Sequence, residues 1–557
     1  MASLEASDVA RLLVEFGQRL ALRGENSYRA RAYRRAAESL SALSTPLAKV
    51  IEKNQLQELP GIGAALAAVI TTLHRQGTHP ALEKMRREVP EGVLDLLQVP
   101  GLRADKATKL HKDLGIGTLD ELEQACRAGR LAKTKAFGPS LERKILEGIE
   151  IRRRTQGQRH IHSAAALIEV AAARLRESHP ELSHVVPAGE FRRGCELVSD
   201  IVFAAQTPDP GSPRTVQLGD ITLHISGRDC YGLALLQATG SEQHLAQLAK
   251  LAEQKGLSLA APRSHRSRKP MSFSSEEDIY AALGLPFIPP ELREGRNEIE
   301  LALKRRLPAL VEEEDLRGIL HAHTAMSDGV NSLEQMTEAT RERGYAYFGV
   351  ADHSRSAAYA GGLTVDEIKE QHHAINMLNR KYKGAFRVLK GIESDILADG
   401  SLDYANDVLA SFDFVVASVH SRFRLDREEQ TERIIRAVSN PYTTILGHMT
   451  GRQLLRRPGY EVDIEKVLRA CAKHDVAVEI NANPWRLDLD WRWHQMALDL
   501  GCTMSINPDA HSTAEIDLTR WGVLMARKGG VPKERVLNSL SLPALTKYLA
   551  AKRTKAL

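Results

Sequence analysis

From Gly318 onward the chain alternates short apolar runs with amphipathic segments long enough to form helices. This order predicts parallel strands that are joined by helices. The apolar runs are GILHAH, YFGVADH, RVLKGIE, DFVVASVH, TTILGH, VAVEIN and TMSINPDAH. Seven β/α units in succession favour a closed or nearly closed barrel over an open sheet.

Nearly every one of these runs ends in His, Asp or Glu. Because the carboxyl ends of strands in a β/α barrel meet at one face, we expect these side chains to share one cleft. The predicted metal ligands are His321, His323, Asp328, His353, Glu393, His420, His448, Asp509 and His511. Among them Glu393, Asp509 and His511 are also predicted to be catalytic. A single histidine at a strand end is usually structural. Histidines and carboxylates at the ends of successive strands instead predict a metal site.

Imidazoles mixed with carboxylates suit manganese or zinc, with iron as a further option. We expect two or three divalent ions, since a carboxylate can bridge neighbouring cations. Such ions neutralise charge on a phosphate and activate water near neutral pH. Four further histidines lie on predicted helices and are interpreted as surface residues: His372, His373, His474 and His494. Lysine and arginine residues near the ligands are candidate phosphate contacts or ordinary solvated charges: Lys390, Arg422, Arg424 and Arg452.

The motifs HAHTAMSDG, ADHS, GIESDI, SVHS, GHMTGR and DAHS resemble those of the polymerase-and-histidinol-phosphatase (PHP) domain over about residues 318–550. The resemblance implies three ion positions. The first takes His321, His323, Glu393 and Asp509, the second Glu393, His420 and His448, and the third Asp328, His353 and His511. It also implies that Asp352 orients a ligand histidine.

Residues 1–150 show the three- and four-residue apolar spacing of helices, as in DVARLLVEFGQRLAL. The segment LPGIGAALAAVI is typical of a helix-hairpin-helix, in which Gly61 and Gly63 let backbone N–H groups approach a DNA phosphate. VPGLRADKATKL resembles a second copy with Gly101, although Arg103 replaces the usual second glycine. AFGPSLERKIL is a weaker third copy. Alone, each segment could be a plain helix connection, but their repetition in a basic region predicts DNA binding.

Residues 1–160 carry 27 Lys and Arg against 19 Asp and Glu, which favours a polyanionic partner or a solvated helical surface. The predicted helix in RGENSYRARAYRRAAESL carries Arg31, Arg34 and Arg35, which we interpret as contacts to a 5′-phosphate or a single strand. This segment and the hairpin array resemble the front end of bacterial family X DNA polymerases. The order of domains over the whole chain is similar to that family.

That resemblance implies a nucleotidyltransferase centre in residues 161–290, with three carboxylates for two magnesium ions. In GEFRRGCELVSDIVFAA, Arg192, Arg193, Gly194 and Asp200 fit the family pattern. We predict a helix at 161–178 and strands in LSHVVPAG, ELVSDIVFAA and DITLHIS. A polar loop is predicted at 261–274.

The other positions of this centre depart from the pattern. Glu190 stands where a serine is expected, Val202 where the second aspartate is expected, and Thr222 at the third. Valine does not coordinate magnesium, and Glu190 would repel a triphosphate. Asp220 could become a ligand after a shift in register, but it would not replace Val202. We therefore predict a vestigial polymerase centre in which the fold persists as support or as a DNA grip.

The predicted division is a helical DNA-end-binding domain with the first hairpin at 1–85 and further hairpins at 86–155. A degenerate nucleotidyltransferase region follows at 156–295, then a linker at 296–317 and the PHP barrel at 318–557. Five scattered cysteines without a CxxC pair favour a reducing bacterial cytoplasm. Neither a signal peptide nor a membrane-spanning run is expected. We expect a monomer that binds gapped, nicked or 3′-ended DNA, with no protein partner indicated.

The leading hypothesis is a metal-dependent 3′→5′ exonuclease or 3′-end-processing phosphodiesterase of DNA repair. Three alternatives remain: an active family X polymerase with an attached nuclease, a non-catalytic DNA-structure-binding scaffold, and a small-molecule phosphatase. Primer extension, metal analysis and monoester substrates distinguish them in that order.

Overall fold

The computed structural model describes residues 4–24, 27–41, 47–59, 61–134, 137–209, 213–259 and 273–554. Most of the predicted loop at 261–274 lies outside these ranges. The chain divides into two compact units. The first comprises residues 1–158 with 169–174 and 455–457, and the second comprises the remainder.

The described part of the first unit's main segment is helical, as predicted. Its helices are α1 Ala6–Leu22, α2 Ser27–Ser41, α3 Leu47–Glu52, α4 Ala64–Gln76, α5 Pro80–Glu88, α6 Glu91–Leu96, α7 Ala104–Leu114, α8 Leu119–Arg127 and α9 Pro139–Arg154. One apolar core lies within α1–α5, around side chains such as Leu13 and Phe16. A second core, around Leu110, Leu122 and Ile145, joins α6–α9.

The two glycine hairpins precede α4 and α7. Gly61 and Gly101 have φ of 77° and 84°, a conformation that an L residue with a side chain rarely adopts. Gly63 and Arg103 are the N-cap residues and have φ of −88° and −82°. Because that second position needs no special backbone conformation, Arg103 is accommodated there without strain. Only the first glycine of each motif is therefore required by the turn itself.

The middle of the chain forms helices around a four-stranded sheet. Its elements are β1 Arg159–His160, α10 Ile161–Ser178, β2 Ser183–Pro187, α11 Gly189–Arg192, β3 Leu197–Val198, β4 Ile201–Thr207, β5 Arg214–Leu218, β6 Ile221–Gly227, α12 Tyr231–Thr239, α13 Glu242–Gln254, α14 Glu276–Ala282 and α15 Glu298–Leu303. The strand order is β2-β4-β6-β5, with β4 and β6 parallel. The predicted helix and the three predicted strands are present. Strand β5 was not predicted, because this polar edge strand buries none of its residues.

The C-terminal region forms the predicted seven-stranded parallel barrel. Its elements are β7 Gly318–Ile319, α16 Leu333–Glu342, β8 Tyr347–Val350, α17 Val365–Tyr382, β9 Arg387–Asp395, α18 Asn406–Leu409, β10 Phe414–Ser418, α19 Arg427–Val438, β11 Ile445–Leu446, α20 Ile464–Lys473, β12 Ala477–Asn481, α21 His494–Asp499, β13 Met504–Asn507, α22 Thr519–Lys528 and α23 Leu542–Thr554. The strands pair in chain order from β7 to β13. Beyond β7 and β13 a single parallel bridge, Ala322 to Ala510, nearly closes the barrel.

The interpretation of the helical histidines as surface residues is wrong for His494. This ring is fully buried at the start of α21, and its Nε2 lies 3.1 Å from the Leu489 carbonyl oxygen. Burial lowers the pKa of His494 to about 4, so the ring remains neutral. A histidine at a helix start can face the core, and the sequence pattern does not distinguish that placement.

No helix of the described residues is long and apolar enough to cross a bilayer.

Candidate metal centre

The carboxyl ends of the barrel strands converge on the carboxylate of Glu393, at the end of β9. Its Oε1 lies 3.1 Å from His448 Nε2 and 3.3 Å from His420 Nε2, and its Oε2 lies 3.0 Å from His353 Nδ1. Glu393 is 1% exposed. One buried carboxylate therefore contacts donors that follow three other strands.

A second carboxylate, Asp509, meets the histidine pair that follows β7. Asp509 Oδ1 lies 3.1 Å from His323 Nε2 and 3.7 Å from His321 Nε2. His321 Nε2 is also 3.4 Å from Glu393 Oε1. The spacing of the His-x-His motif thus directs both rings to the same cluster, as the two-residue period of a strand predicts.

The third part of the cluster is open to solvent. Asp328 Oδ1 lies 3.3 Å from His511 Nε2, and Asp328 Oδ2 lies 3.6 Å from His353 Nε2. The side chains of Asp328 and His511 are 34% and 32% exposed, in contrast to the buried donors. The structure thus brings all of the predicted ligands into one cleft.

Within the described ranges, donor atoms that lie within 4.8 Å of one another form three groups able to hold a cation. The groups are His321-His323-Glu393, His353-Glu393-His420 and His323-Asp328-His353-His511. This grouping is similar to the one that the family resemblance implies, but His323 and His353 each belong to two groups, and the predicted ligands Asp509 and His448 belong to none of the three. Ions bound in adjacent groups would therefore have a donor residue in common, which is Glu393, His323 or His353.

The donors fit divalent cations. His321 Nε2, His353 Nδ1 and both Glu393 oxygens are buried and face the cluster. They approach one another to 3.0–3.4 Å, but among the described residues none of these atoms has a partner in hydrogen-bond geometry. Leaving such an atom unsatisfied costs roughly 1–3 kcal/mol, which a bound cation removes. Burial opposes ionisation of Glu393, but His420, His321 and other nearby imidazoles hold its pKa well below the usual range. Burial also lowers the pKa of His323 to about 4, which keeps the ring neutral and able to donate a lone pair.

Two buried carboxylates that the sequence analysis did not single out contact the histidines. Glu479 Oε1 on β12 lies 2.6 Å from His321 Nδ1, and Asp395 Oδ1 on β9 lies 2.6 Å from His420 Nδ1. In each case the other ring nitrogen faces Glu393. Such contacts fix the tautomer and the orientation of a ligand histidine. For Glu479 the available signal was a lone acidic residue inside an otherwise apolar strand, two positions from its end. Asp395 is the last residue of β9, two residues beyond Glu393.

Asp352 does not have the role that the resemblance implied. Its carboxylate accepts hydrogen bonds from the backbone and hydroxyl of Thr324, from Ser327 Oγ and from Gln371 Nε2, each at 2.5–2.7 Å. No hydrogen bond from Asp352 to a histidine is present among the described residues. Asp352 instead fixes the loop that carries Asp328, because Thr324 and Ser327 belong to that loop, and Gln371 joins the same carboxylate to α17.

The candidate phosphate contacts differ from the prediction. Lys390 is an odd number of residues before Glu393 on β9, so its side chain lies on the opposite face of the sheet. The guanidinium of Arg452 is committed to Asp490 and to the carbonyls of Arg486 and Leu487. These two residues are therefore not free to bind phosphate.

Three further arginines lie in the loops after β10 and β12. Arg422 and Arg424 are exposed. Arg486, which was not predicted, lies with its Nε 3.8 Å from Asp509 Oδ2. It belongs to an irregular loop, so no periodic pattern indicated it.

The predicted nucleotidyltransferase positions come together at the start of β4 and β6. Asp200 directly precedes β4, and Val202 pairs in register with Thr222 on β6. Asp220 lies in the turn before β6 and is exposed. Glu190 Oε2 accepts a hydrogen bond of 2.6 Å from the Ser199 N–H. Where the family pattern has carboxylates on paired strands, this chain has an aliphatic and a hydroxyl side chain.

The arginines of the same motif are engaged in ion pairs. Arg192 forms two hydrogen bonds to buried Glu276, at 2.7 and 3.0 Å, and Arg293 contacts that carboxylate from another side. Arg193 Nε lies 2.9 Å from Glu294 Oε1, which also accepts from Lys528 Nζ on α22.

Gly194 completes this contact with the barrel. It has φ of 67°, and a β-carbon placed on it would lie 2.8 Å from Leu524 on α22. The Arg-Arg-Gly motif therefore packs against the thumb-like helices and the metal-binding barrel.

The predicted DNA-contacting arginines lie together on one helix of the first unit. Arg31, Arg34 and Arg35 are exposed on α2. The hairpin glycine Gly61 is beside this helix, since a β-carbon on Gly61 would lie 3.4 Å from Arg35 Cβ. The first hairpin and the basic helix thus present neighbouring surfaces.

The barrel and its strand-end donors define the class of metal-dependent phosphoesterases described as the PHP domain, whose model matches residues 320–483. A helix-hairpin-helix domain matches residues 5–79, a SAM-like helix-hairpin-helix tandem residues 93–150, and a DNA polymerase beta thumb residues 234–294. A relative from Bacillus subtilis (strain 168), DNA polymerase/3′-5′ exonuclease PolX, is 33% identical over 98% of this chain and 99% of its own length. The chain belongs to the family X DNA polymerases that carry a PHP domain.

Other relatives cover the barrel alone. The probable phosphatase Teth514_1060 of Thermoanaerobacter sp. (strain X514) is 26% identical over 42% of this chain and 96% of its own length. The probable phosphatase YcdX of Escherichia coli (strain K12 / DH10B) is 25% identical over 39% of this chain and 88% of its own length. The hairpin and thumb matches imply DNA binding. The alignments with the two phosphatases cover less than half of this chain.

Proposed function

We propose that this chain is a divalent-metal-dependent phosphodiesterase that removes nucleotides or blocking groups from DNA 3′ ends during repair. The observation that carries the proposal is the convergence of the strand-end donors on Glu393 in one cleft with an open side. The Bacillus subtilis relative is named a 3′-5′ exonuclease, which supports the direction of digestion. The helix-hairpin-helix matches favour DNA over a small ester.

The residues divide the work by position. The buried donors around Glu393 and Asp509 would hold the inner cations, whereas Asp328, His353 and His511 would hold the outer one beside solvent. Bound divalent ions, manganese or zinc by the donor set, supply charge neutralisation for phosphate and lower the pKa of water. Arg486 would attract the phosphate, because its guanidinium lies at the edge of the cluster. Glu479 and Asp395 would keep His321 and His420 in the orientation that binding requires.

We further propose that the polymerase centre is inactive. Two metal ions need carboxylates on both paired strands, and the pair Val202–Thr222 supplies none. The arginines that would meet a triphosphate are already bonded to Glu276 and Glu294. In this proposal the region at 156–295 supports the barrel and the DNA, and the domain division predicted from the sequence is retained.

We also propose that the protein is a monomer located in the bacterial cytoplasm. All five cysteines are free thiols, at positions Cys126, Cys195, Cys230, Cys471 and Cys502, which fits a reducing compartment. Size-exclusion chromatography with light scattering tests the monomer, and a stable dimer would contradict it.

The test uses end-labelled gapped, nicked, abasic and 3′-phosphate DNAs with Mn²⁺. We expect stepwise shortening or end cleaning by the full chain and none by the double variant His321→Ala plus His323→Ala. The matched control is His373→Ala, an exposed histidine on α17. Equal degradation of the labelled DNA by wild type and the double variant would contradict the proposed phosphodiesterase function of the barrel. A protein that binds DNA but retains no transition metal would instead be a scaffold.

An active polymerase is the second candidate, because the chain belongs to a polymerase family. Primer extension with Mg²⁺ and dNTPs that disappears in Asp200→Ala would establish it. The third candidate is a small-molecule phosphatase, which the shorter relatives favour. Faster hydrolysis of phosphate monoesters than of oligonucleotides would support that candidate.

A further inference from the structure

The metal cluster can be reached from one side. Asp328 and His511 are about one-third exposed, whereas Glu393 and His321 are buried. These two exposed donors lie in the loops after β7 and β13. A substrate phosphate therefore approaches past these loops, and the side chains around them will contact the group attached to that phosphate.

The side chains around this opening include the two most exposed large hydrophobic residues of the described chain. Val330 is 77% exposed and Tyr359 is 74% exposed. Val330 follows Asp328 by two residues, and its N–H donates a hydrogen bond of 2.7 Å to the His511 carbonyl. The Tyr359 ring centroid lies 6.3 Å from that of His353. Both side chains are thus attached to residues of the solvent-facing donor group.

The loops that carry Val330 and Tyr359 are packed against each other. A β-carbon placed on Gly361 would lie 3.4 Å from the Ser327 carbonyl oxygen. Tyr359 itself lies in a 3-10 turn, Ala358–Ala360, whose flanking Ala357 and Ala360 are buried. The tyrosine is therefore held on a fixed turn, although most of its ring faces solvent.

The Tyr359 side chain lies near the carboxylates of the cluster. Partial burial and the carboxylates of Asp395 and Glu393 raise its pKa to about 12, so it remains protonated at neutral pH. The hydroxyl has no hydrogen-bond partner within the described ranges of the chain. Because most of the ring is exposed and the hydroxyl is unpaired among the described residues, the Tyr359 side chain is available to a ligand.

An exposed ring and an exposed aliphatic side chain beside a polar cleft indicate a ligand with an apolar, planar part. Base stacking on an aromatic side chain contributes roughly 1–3 kcal/mol per base and tolerates any sequence. Inorganic phosphate and simple alkyl esters have no such surface. A terminal nucleotide has a planar base attached through its sugar to the phosphate that must reach the donors.

We infer that Tyr359 and Val330 form a subsite for the nucleobase of the terminal nucleotide, which positions the adjoining phosphate at the open side of the cluster. The inference rests on the proposed nuclease function and specifies its substrate as a DNA end that retains its terminal base. Stacking would discriminate an intact 3′ nucleotide from an end that has lost its base.

The test compares wild type and Tyr359→Ala on two labelled oligonucleotides with Mn²⁺. One ends in a normal 3′ nucleotide, and the other ends in a tetrahydrofuran analogue that lacks the base. We expect Tyr359→Ala to lose roughly 5- to 100-fold in kcat/KM on the normal end and less than about threefold on the base-free end. Tyr359→Phe keeps the ring and should resemble wild type. Met377→Ala, which changes an exposed apolar residue on α17, is the matched control.

A binding measurement gives a second readout that does not need turnover. With 2-aminopurine as the 3′-terminal base and EDTA or Ca²⁺ present, stacking should quench its fluorescence with wild type and Tyr359→Phe, and much less with Tyr359→Ala. An equal loss on both oligonucleotides together with unchanged quenching would overturn the subsite. If wild type degrades neither DNA, the proposed function fails, which is a different result from normal degradation that Tyr359→Ala leaves unchanged.

Discussion

The barrel and the middle sheet both place polar side chains where parallel strands lie side by side, but the two places differ in what their residues can do. In the barrel, donors follow the carboxyl ends of successive strands and converge on Glu393. In the middle sheet, the equivalent chemistry depends on the amino ends of β4 and β6, where Asp200 remains and Val202 faces Thr222. The backbone arrangement survives in both regions. Under the proposal that the polymerase centre is inactive, the fold keeps the geometry of that site without its chemistry.

The regions also differ in how their arginines and carboxylates are used. Around the metal cluster, buried carboxylates point to imidazoles that have a free nitrogen facing Glu393. In the middle region, Arg192 and Arg193 are neutralised by Glu276 and Glu294. Around the metal cluster, the imidazole nitrogens that face Glu393 can still bind a ligand. In the middle region, Arg192 and Arg193 are already paired with carboxylates of the same chain. The following predictions test this contrast.

The largest effect is expected from Glu393→Gln. Loss of the shared carboxylate should remove several kcal/mol of cation binding and phosphate stabilisation, so that DNA hydrolysis falls about 10⁴-fold or more. Metal content by mass spectrometry should fall in parallel. Glu370→Gln, on the exposed surface of α17, is the control. Hydrolysis within tenfold of wild type would mean that the barrel does not work through this carboxylate.

A large effect on stability is expected from Glu276→Ala. The change leaves Arg293, which is fully buried, without its carboxylate partner, and breaking such a buried pair costs roughly 3–5 kcal/mol. Denaturant unfolding should show this loss, whereas exposed Glu277→Ala should not. An unchanged free energy of unfolding would contradict the structural use of the motif arginines.

A smaller effect is expected from Glu479→Gln, which changes the partner of His321 and leaves the ligand itself in place. Loss of such a contact typically weakens metal affinity by about 10- to 100-fold. Competition with a chelator measures the affinity, and Glu465→Gln on α20 is the matched control. Unchanged affinity would show that Glu479 only fills the barrel interior.

The smallest effect is expected from Asp200→Ala. If the middle centre no longer binds magnesium, the substitution should leave DNA hydrolysis within about twofold, since a surface change costs less than about 0.5 kcal/mol. Primer extension should be absent in both proteins. The reverse change, Val202→Asp, should not restore extension, because Thr222 still lacks a carboxylate. Primer extension by either protein would contradict the proposal that the middle centre is inactive.

Much of the fold and site followed from local patterns. Each barrel strand was predicted as an apolar run, and the donors were predicted because they follow those runs directly. The edge strand Arg214–Leu218 was missed, since a solvated strand carries no apolar face. The role of Arg452 was mistaken, because proximity to a ligand motif in sequence does not reveal which carboxylate a long side chain will reach.

The sequence patterns also did not predict the contacts made by residues in irregular loops. Arg486 and Tyr359 lie after strand ends, where no period relates residue number to direction. Glu479 belongs to a regular strand, yet its contact with His321 joins residues from opposite ends of the barrel sequence. Such pairs depend on closure of the barrel, which brings the first and last strands together.

The sequence by itself determined the order of strands and helices, the donors at the strand ends and the absence of carboxylates at positions 202 and 222. These properties follow from side-chain chemistry and from periods of two and about four residues, which are local. Only the tertiary structure decided which donors share a cation position, which carboxylate orients which imidazole, and which rim of the cleft stays open. Contacts of 3–4 Å between distant residues depend on barrel closure and loop packing, and neither is encoded in a local period.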